Sequence, residues 1–379
     1  MKSTNSENLL GIDIGTNYLR ACLHNDENLD FIKIPSAGVQ AGNIINKEEF
    51  SNALLKLVNK VKKNYNLKKV KLIIGMSGNT LNSGNLNISV AINNSNSKVG
   101  DNEINTIVEK NEYIYTTHQL ATLYHTVQKY RLNGIEQKAV PIGMMGSRLD
   151  AKIFSVFVDK NQINIIEDIC KKLKLEIKDI LASPLLEAEL LLNNKQKLAG
   201  VAILHIGHAN STLVVYENYS VLAVGSLPFG TQHLDNEIAL CLKVSLDDAY
   251  EIRCGRMLTG FNKKKFEDII EHTLNDWTYK INDELDLIKR KELLPAGILI
   301  LGEICNMIKF ESIFKNKMRL PIKLENKVME DIKDFKVNGS EWLRPLALAI
   351  SDTENKEHYV KVWQYFYNHI KQILCQFLP

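Results

Sequence analysis

The chain has 379 residues, 45% of them hydrophobic and 24% charged, which gives room for two lobes or more, each with its own core. Its 47 basic and 44 acidic side chains leave a formal net charge of only +3, which argues against the one-sided positive field of a nucleic-acid binder. Six scattered cysteines show no CxxC or Cys/His metal spacing and are expected as reduced core filler in a cytoplasmic protein, and no run approaches the roughly eighteen uncharged apolar residues of a spanning helix.

Leu9 to Asn17 reads as a buried strand that ends in Asp13 and then turns tightly through Gly15, Thr16 and Asn17. A glycine there lets backbone N–H groups approach a phosphate, Thr16 and Asn17 add polar donors, and Asp13 could hold a hydrated magnesium ion. The same residues also fit an ordinary turn. Strands at Leu19–Leu23 and Phe31–Ile34 follow, then a loop over Ser36–Ile45. Lys47 to Tyr65 has helical spacing, and the strand Val70–Ile74 runs into Gly75-Met76-Ser77-Gly78. Strand, strand, helix, strand is an α/β lobe.

From about Ser83 the texture changes. Strands at Ile88–Ile92, His118–Tyr130 and Lys152–Val158, with a helix over Asn102–Tyr115, form a small insert containing the loop Pro141–Asp150. Helices at Ile163–Leu173 and Leu185–Leu192, around a short strand at Ile180, then lead to Val201–Tyr216. That segment repeats the opening pattern: apolar strand, Ile-Gly turn, small polar residues and a second strand, with His205 where the first copy has Asp13. Two such turns can clamp a nucleotide's phosphates between lobes, the logic of actin-like and sugar-kinase ATPases. A strand at Val221–Leu227 precedes a loop that places Asp235 and Glu237 in the first turn of a helix. Helices are expected over Ser245–Met257 and Phe266–Arg290, with Lys263 to Lys265 as a solvated turn. Ile298–Leu301, Gly302 and Glu303 make a third strand-to-turn element, Trp342–Ile350 an apolar helix, and Tyr359–Pro379 a final one.

In this order, and over nearly the whole chain, these pieces resemble the bacterial cell-division FtsA family of actin-like proteins. The most specific matches are Gly143–Leu149 (Gly-Met-Met-Gly-Ser-Arg-Leu), Gly75-Met76-Ser77-Gly78 and Leu227-Pro228-Phe229-Gly230. The resemblance implies an α/β, two-lobed actin-like ATPase fold of ribonuclease-H-like subdomains. Residues 1–83 and 163–199 would form the first lobe, 84–162 the inserted FtsA-type (SHS2) domain, 200–240 and 296–350 the second lobe and 241–295 its outer subdomain. Residues 351–358 would be a hinge and 359–379 a C-terminal amphipathic helix. It also implies a scaffold that ties FtsZ, through its C-terminal peptide, to the inner face of the cytoplasmic membrane and that self-associates through lobe contacts. The FtsZ pocket would fall at about residues 240–295, where Thr273 replaces a basic residue and Lys280, Lys289 and Arg290 lie nearby.

By the same resemblance, ATP with magnesium would contact Asp13, Gly15, Thr16, Asn17, Gly207, His208, Asn210, Arg253 and Gly302, with Asp13 facing the metal. The family's Asp-Ile-Gly-Gly-Gly-Thr-x-Asp, however, reads here as His205-Ile206-Gly207-His208-Ala209-Asn210-Ser211-Thr212. Its Thr-Gly-Gly reads as Leu301-Gly302-Glu303, and its Ala-Glu-x-x-Lys as Ala249-Tyr250-Glu251-Ile252-Arg253. Hydrolysis depends on positioning and charge neutralisation at the phosphates, so it is expected to be weak or absent. A small-molecule kinase would need intact phosphate loops, and a PilM-like pilus scaffold would share the insert without needing a membrane helix.

In the final segment Trp363, Phe366, Ile370, Ile373, Leu374 and Phe377 form an apolar stripe opposite Lys361, Gln364, Asn368, Lys371 and Gln372. At roughly 1–2 kcal/mol per partly buried residue, that stripe suffices for reversible binding at a lipid interface. The alternative is a helix docked on its own lobe.

Overall fold

Strand β1 (Leu9–Ile14) is buried on both faces, as its near-continuous apolar run requires of a central strand. It pairs antiparallel with β2 (Tyr18–Asn25), and β2 with β3 (Asn28–Pro35). The computed structural model describes residues 8–25, 28–257, 259–307, 310–325, 329–332, 335–337 and 339–351. After a small hairpin (Val39–Gln40 with Asn43–Ile44), helix α1 (Lys47–Asn64) starts where the Asn46 side chain accepts from the amides of Glu48 and Glu49. Glu48 and Glu49 in its first turn and Lys62 and Lys63 in its last suit the helix dipole, and Phe50, Leu54, Leu57, Val58 and Val61 cover the sheet. Strand β4 (Lys71–Met76) then lies parallel to β1.

The insert follows at once. β5 (Asn82–Ala91), α2 (Asp101–Thr117), β6 (Leu120–Leu132), β7 (Ile135–Gln137) and β8 (Arg148–Asp159) make a four-stranded sheet in the order β5-β8-β6-β7. Its own core joins Ile88, Val90, Ile107, Leu149 and Ile153, and the side chains of Asn111 and Ser155 satisfy each other inside it. The Gly143–Leu149 stretch is a pinned loop: Gly143 N donates to Val99 O, Val99 N to Met144 O and Gly146 N to Ser97 O. The chain returns through α3 (Lys160–Lys172) to β9 (Glu176–Ala182), which completes the first sheet in the order β9-β4-β1-β2-β3.

Helices α4 (Ser183–Leu191) and α5 (Asn194–Ala199) lead to the second lobe, which repeats the plan of the first. Central β10 (Val201–Ile206) pairs antiparallel with β11 (Ser211–Glu217), which pairs with β12 (Ser220–Leu227). Helices α6 (Thr231–Leu242), α7 (Leu246–Arg253) and α8 (Lys263–Leu287) pack on this sheet. Parallel partners β13 (Ile298–Leu301) and, beyond α9 (Phe310–Met318), β14 (Ile322–Leu324) complete it. Alternation decides the packing. Val201, Ile203, Val214 and Tyr216 join the first lobe's core, while Ala202, Leu204, Leu213 and Val215 face a second core with Phe229 stacked on Trp277.

Three expectations are corrected. Asp235 and Glu237 are not in the first turn of α6, which starts at Thr231 because the amides of Thr231 and Gln232 find the carbonyls of Gly207 and His208. Lys263 to Lys265 form the first turn of α8, capped by Asn262, whose side chain accepts from Lys265 N. Helix α7 stops at Arg253, short of Met257.

Helix α10 (Leu343–Ala349) lies directly on β1 and α4. A Cβ at Gly11 would stand 2.5 Å from both the Pro345 carbonyl oxygen and the Ala349 nitrogen, so only glycine lets this helix close on the strand. Gly11→Ala is expected to destabilise the protein by about 2 kcal/mol and to lower the thermal midpoint by several degrees, measured by circular dichroism.

Candidate functional site

A cleft of about 450 Å³ opens between the lobes. Its walls include both glycine turns, residues Asp13 to Tyr18 and residues His205 to His208 with Asn210, and also Arg20, Lys33, Tyr250, Arg256, Gly302, Glu303, Glu341 and Arg344. The turns match in detail. Gly15 N donates to Tyr18 O and Gly207 N to Asn210 O, and an added Cβ at either glycine would meet that same carbonyl oxygen at 2.7 or 2.6 Å. Both need glycine for the same steric reason.

Between the turns lies a buried charge network. Glu187, fully buried on α4, faces His205 Nδ1 at 2.8 Å and accepts from Arg344 Nε at 3.0 Å. A carboxylate only accepts, so His205 Nδ1 carries the proton. Arg344 Nη2 donates to Thr212 Oγ1 at 2.5 Å. Burial alone would raise the Glu187 pKa, yet the charges and hydrogen bonds of Arg344 and His205 hold it below its ordinary value. On the second turn, burial lowers the His208 pKa and so favours the neutral imidazole, against the opposing pull of the Glu303 carboxylate.

The expected site residues divide into those that line the cleft and one that does not. Asp13, Gly15, Thr16, Asn17, Gly207, His208, Asn210 and Gly302 all line it. Asn210 also ties the lobes together, donating from Nδ2 to Ser77 O at 3.2 Å and to Ser226 Oγ at 2.9 Å. Arg253 is absent from the lining. Its side chain is 1% exposed and forks onto Asp235, Nε to Oδ1 at 2.5 Å and Nη2 to Oδ2 at 3.2 Å, because α6 and α7 pack together and leave the carboxylate facing it. The basic residue of this helix region that reaches the cleft is Arg256, bonded to Glu251 and the Tyr250 hydroxyl. Within residues 240–295, the expected outer subdomain, Thr273 is buried, Lys280 pairs with Asp276 and Arg290 with Glu217. Trp363, Phe366, Ile370, Ile373, Leu374, Phe377 and nearly all of the expected hinge lie outside the described residues.

The donor set suits a phosphate better than a divalent metal. Arg20 Nη1 would be 3.3 Å from a Cβ on Gly15, and Nε of Arg20 is buried without a hydrogen-bond partner among the described residues. On the two turns magnesium would find a single protein carboxylate, Asp13, with Glu303 and Glu341 elsewhere on the cleft wall.

Sequence reading missed Glu187, Arg344, Arg20 and Lys33. The available signal was a single charge inside an apolar segment, as with Arg344 between Leu343 and Ile350.

The fold is that of the actin-like ATPases, with an SHS2 domain inserted in the first lobe. The PilM–PilN type IV pilus biogenesis complex superimposes with a TM-score of 0.64 at 16% identity, covering 90% of this chain and 98% of that one. MreB5 of Spiroplasma citri bound to ADP does so with a TM-score of 0.52 at 10% identity, covering 94% and 98%. The family described as the SHS2 domain inserted in FtsA matches residues 74–157. By sequence the chain is similar to proteins named cell division protein FtsA. It is 22% identical over 275 residues to cell division protein FtsA of Bacillus subtilis, covering 71% of this chain and 62% of that protein. It is 22% identical over 344 residues to FtsA of Pseudomonas aeruginosa, covering 83% and 82%. The match thus spans less than two thirds of the Bacillus relative's length.

Arg344→Met would strand Glu187 as a lone buried charge, and the expected loss is about 3–5 kcal/mol in urea unfolding, much of it recovered by adding Glu187→Gln. Because the folded pKa of Glu187 lies below its ordinary 4.5, the stability it contributes is present above that pH and is lost as pH falls through the depressed value. The difference in urea midpoint between the wild type and the double variant is therefore expected to shrink as the pH is lowered below 4.5.

Proposed function

We propose that this chain is a cell-division scaffold that links FtsZ, through its C-terminal peptide, to the inner face of the cytoplasmic membrane and self-associates through its lobes. The observation that carries the reading is the FtsA-type SHS2 domain inside an actin-like lobe, together with sequence relatives named FtsA. The PilM likeness, at 16% identity, supports the fold alone. Purified chain is expected to retain a peptide with the C-terminal sequence of the host's FtsZ in a pull-down, and failure to do so at micromolar concentration would count against the scaffold role.

Nucleotide binding in the cleft is part of the proposal. It is supported by the paired glycine turns and the buried, unpartnered Nε of Arg20 on the cleft wall, and by the ADP held by the fold neighbour MreB5. Thr16, Asn17, Gly207, Asn210 and Gly302 would face the ligand. Hydrolysis is expected to be weak or absent, because His205 and His208 stand where catalysis calls for carboxylate and close backbone approach. Phosphate release with ATP and magnesium should stay at the buffer rate in a coupled assay.

Membrane attachment rests on the sequence stripe at Trp363, Phe366, Ile370, Ile373, Leu374 and Phe377. Trp363→Glu with Phe366→Glu is expected to abolish co-sedimentation with anionic liposomes, and unchanged sedimentation would refute this attachment.

A further inference from the structure

The strand-end positions of the two glycine turns are equivalent in the duplicated lobes, and each precedes the same Ile-Gly pair: Asp13 is the penultimate residue of β1 and His205 of β10. A divalent ion shared by such turns draws on carboxylates there and on the ligand's phosphate oxygens. In this cleft one of the two positions is an imidazole whose Nδ1–H is committed to Glu187. The Arg344 guanidinium occupies the adjoining space. It is fixed on Glu187 and on Thr212, which is the residue paired directly with His205 across β10 and β11. Beside the first turn lies a second guanidinium, Arg20, the strand partner of Asp13, with Nε buried and unbonded among the described residues.

A divalent cation placed between these turns would have Asp13 as its one turn carboxylate and would lie between the Arg344 guanidinium, paired with Glu187, and that of Arg20, 3.8 Å from Glu341 on the cleft wall. A polyphosphate in the same place would meet two guanidiniums, Arg344 held by hydrogen bonds to Glu187 and Thr212 and Arg20 packed beside Gly15 and over the Tyr18 ring, and planar guanidinium donors suit phosphate oxygens. Holding Arg344 on Glu187 fixes its position before the ligand arrives, so little ordering is required on binding.

We infer that the cleft takes a nucleoside polyphosphate without a divalent cation, Arg344 and Arg20 supplying the positive charge that a metal ion would otherwise bring. This rests on the nucleotide reading of the cleft given above and specifies its chemistry.

The test is titration of the full chain with a fluorescent N-methylanthraniloyl ATP, in EDTA and again in excess magnesium. The expected result is binding in EDTA with a dissociation constant within about threefold of that in magnesium. Glu187→Gln with Arg344→Gln replaces the buried ion pair by two amides, leaving no lone charge, and is expected to weaken binding in EDTA by about tenfold or more. Arg20→Gln, a change at a half-buried side chain on the cleft wall, should do the same and serves if the double variant does not fold. Adding His205→Asp to the double variant restores a second strand-end carboxylate and should make binding magnesium-dependent.

Binding that magnesium tightens by more than about threefold in the wild type would overturn metal independence while leaving the nucleotide reading intact. Full-strength binding in EDTA by either arginine variant would overturn the role given to that guanidinium. Absence of binding in both buffers would remove the nucleotide reading and this inference with it.

Discussion

One buried carboxylate organises the centre of the molecule. A charged Glu187 cut off from water would cost several kcal/mol unless paired and hydrogen-bonded, and its two partners arrive from distant parts of the chain. His205 comes from the end of β10, 18 residues beyond Glu187, and Arg344 from α10, 157 residues beyond it. The network is complete only when the second sheet has formed and α10 has docked. Helix α10 docks where Gly11 leaves β1 without a side chain, so the seat of Arg344 is set by the strand that also presents the first glycine turn. The cleft floor, the central strand and the junction of the lobes therefore share one constraint.

The duplication of the lobes makes their differences readable. Both sheets place an antiparallel hairpin on one side of the central strand and parallel strands on the other, and both turns close with the same glycine hydrogen bond. The first turn keeps its acid. The second has exchanged it for His205, and its carbonyls are occupied by the opening amides of α6. Asp235, one turn further along α6, is then free to hold Arg253, so a base expected to face a ligand becomes a strut between α6 and α7.

Most of the fold was legible because its signals are local. Buried strands appear as apolar runs ended by glycine turns, α1 and α8 as 3.6-residue periodicity, and the insert as a change of texture after Ser83. The cleft was legible as far as its turns, since Asp13, Gly15, Thr16, Asn17, Gly207, His208, Asn210 and Gly302 all reach it. What escaped depends on register and on pairing over long separations. Nothing near Arg253 in sequence announces Asp235 as its partner. Arg344 looks like an isolated charge in an apolar helix, and Glu187 like one of two acids on α4, until the fold brings them to 3.0 Å. The start of α6 was misplaced because its capping groups are backbone carbonyls of another turn, which leave no side-chain signature at Thr231.

Holding a phosphate and cleaving one make different demands on the same cleft. Cleavage needs charge stabilisation that grows as the transition state forms, from groups free to shift their interaction toward the transferring phosphoryl. Arg344 is already shared with Glu187 and Thr212, so part of its field is spent in the ground state and changes little along a reaction coordinate. His208, favoured as the neutral imidazole by burial, adds no fixed charge to the second turn. On the reading proposed above, a cleft built this way would favour occupancy over turnover. In a scaffold, occupancy alone is enough to matter, because a ligand clamped between two lobes that already meet through Asn210 and Ser77 would set their angle without being consumed.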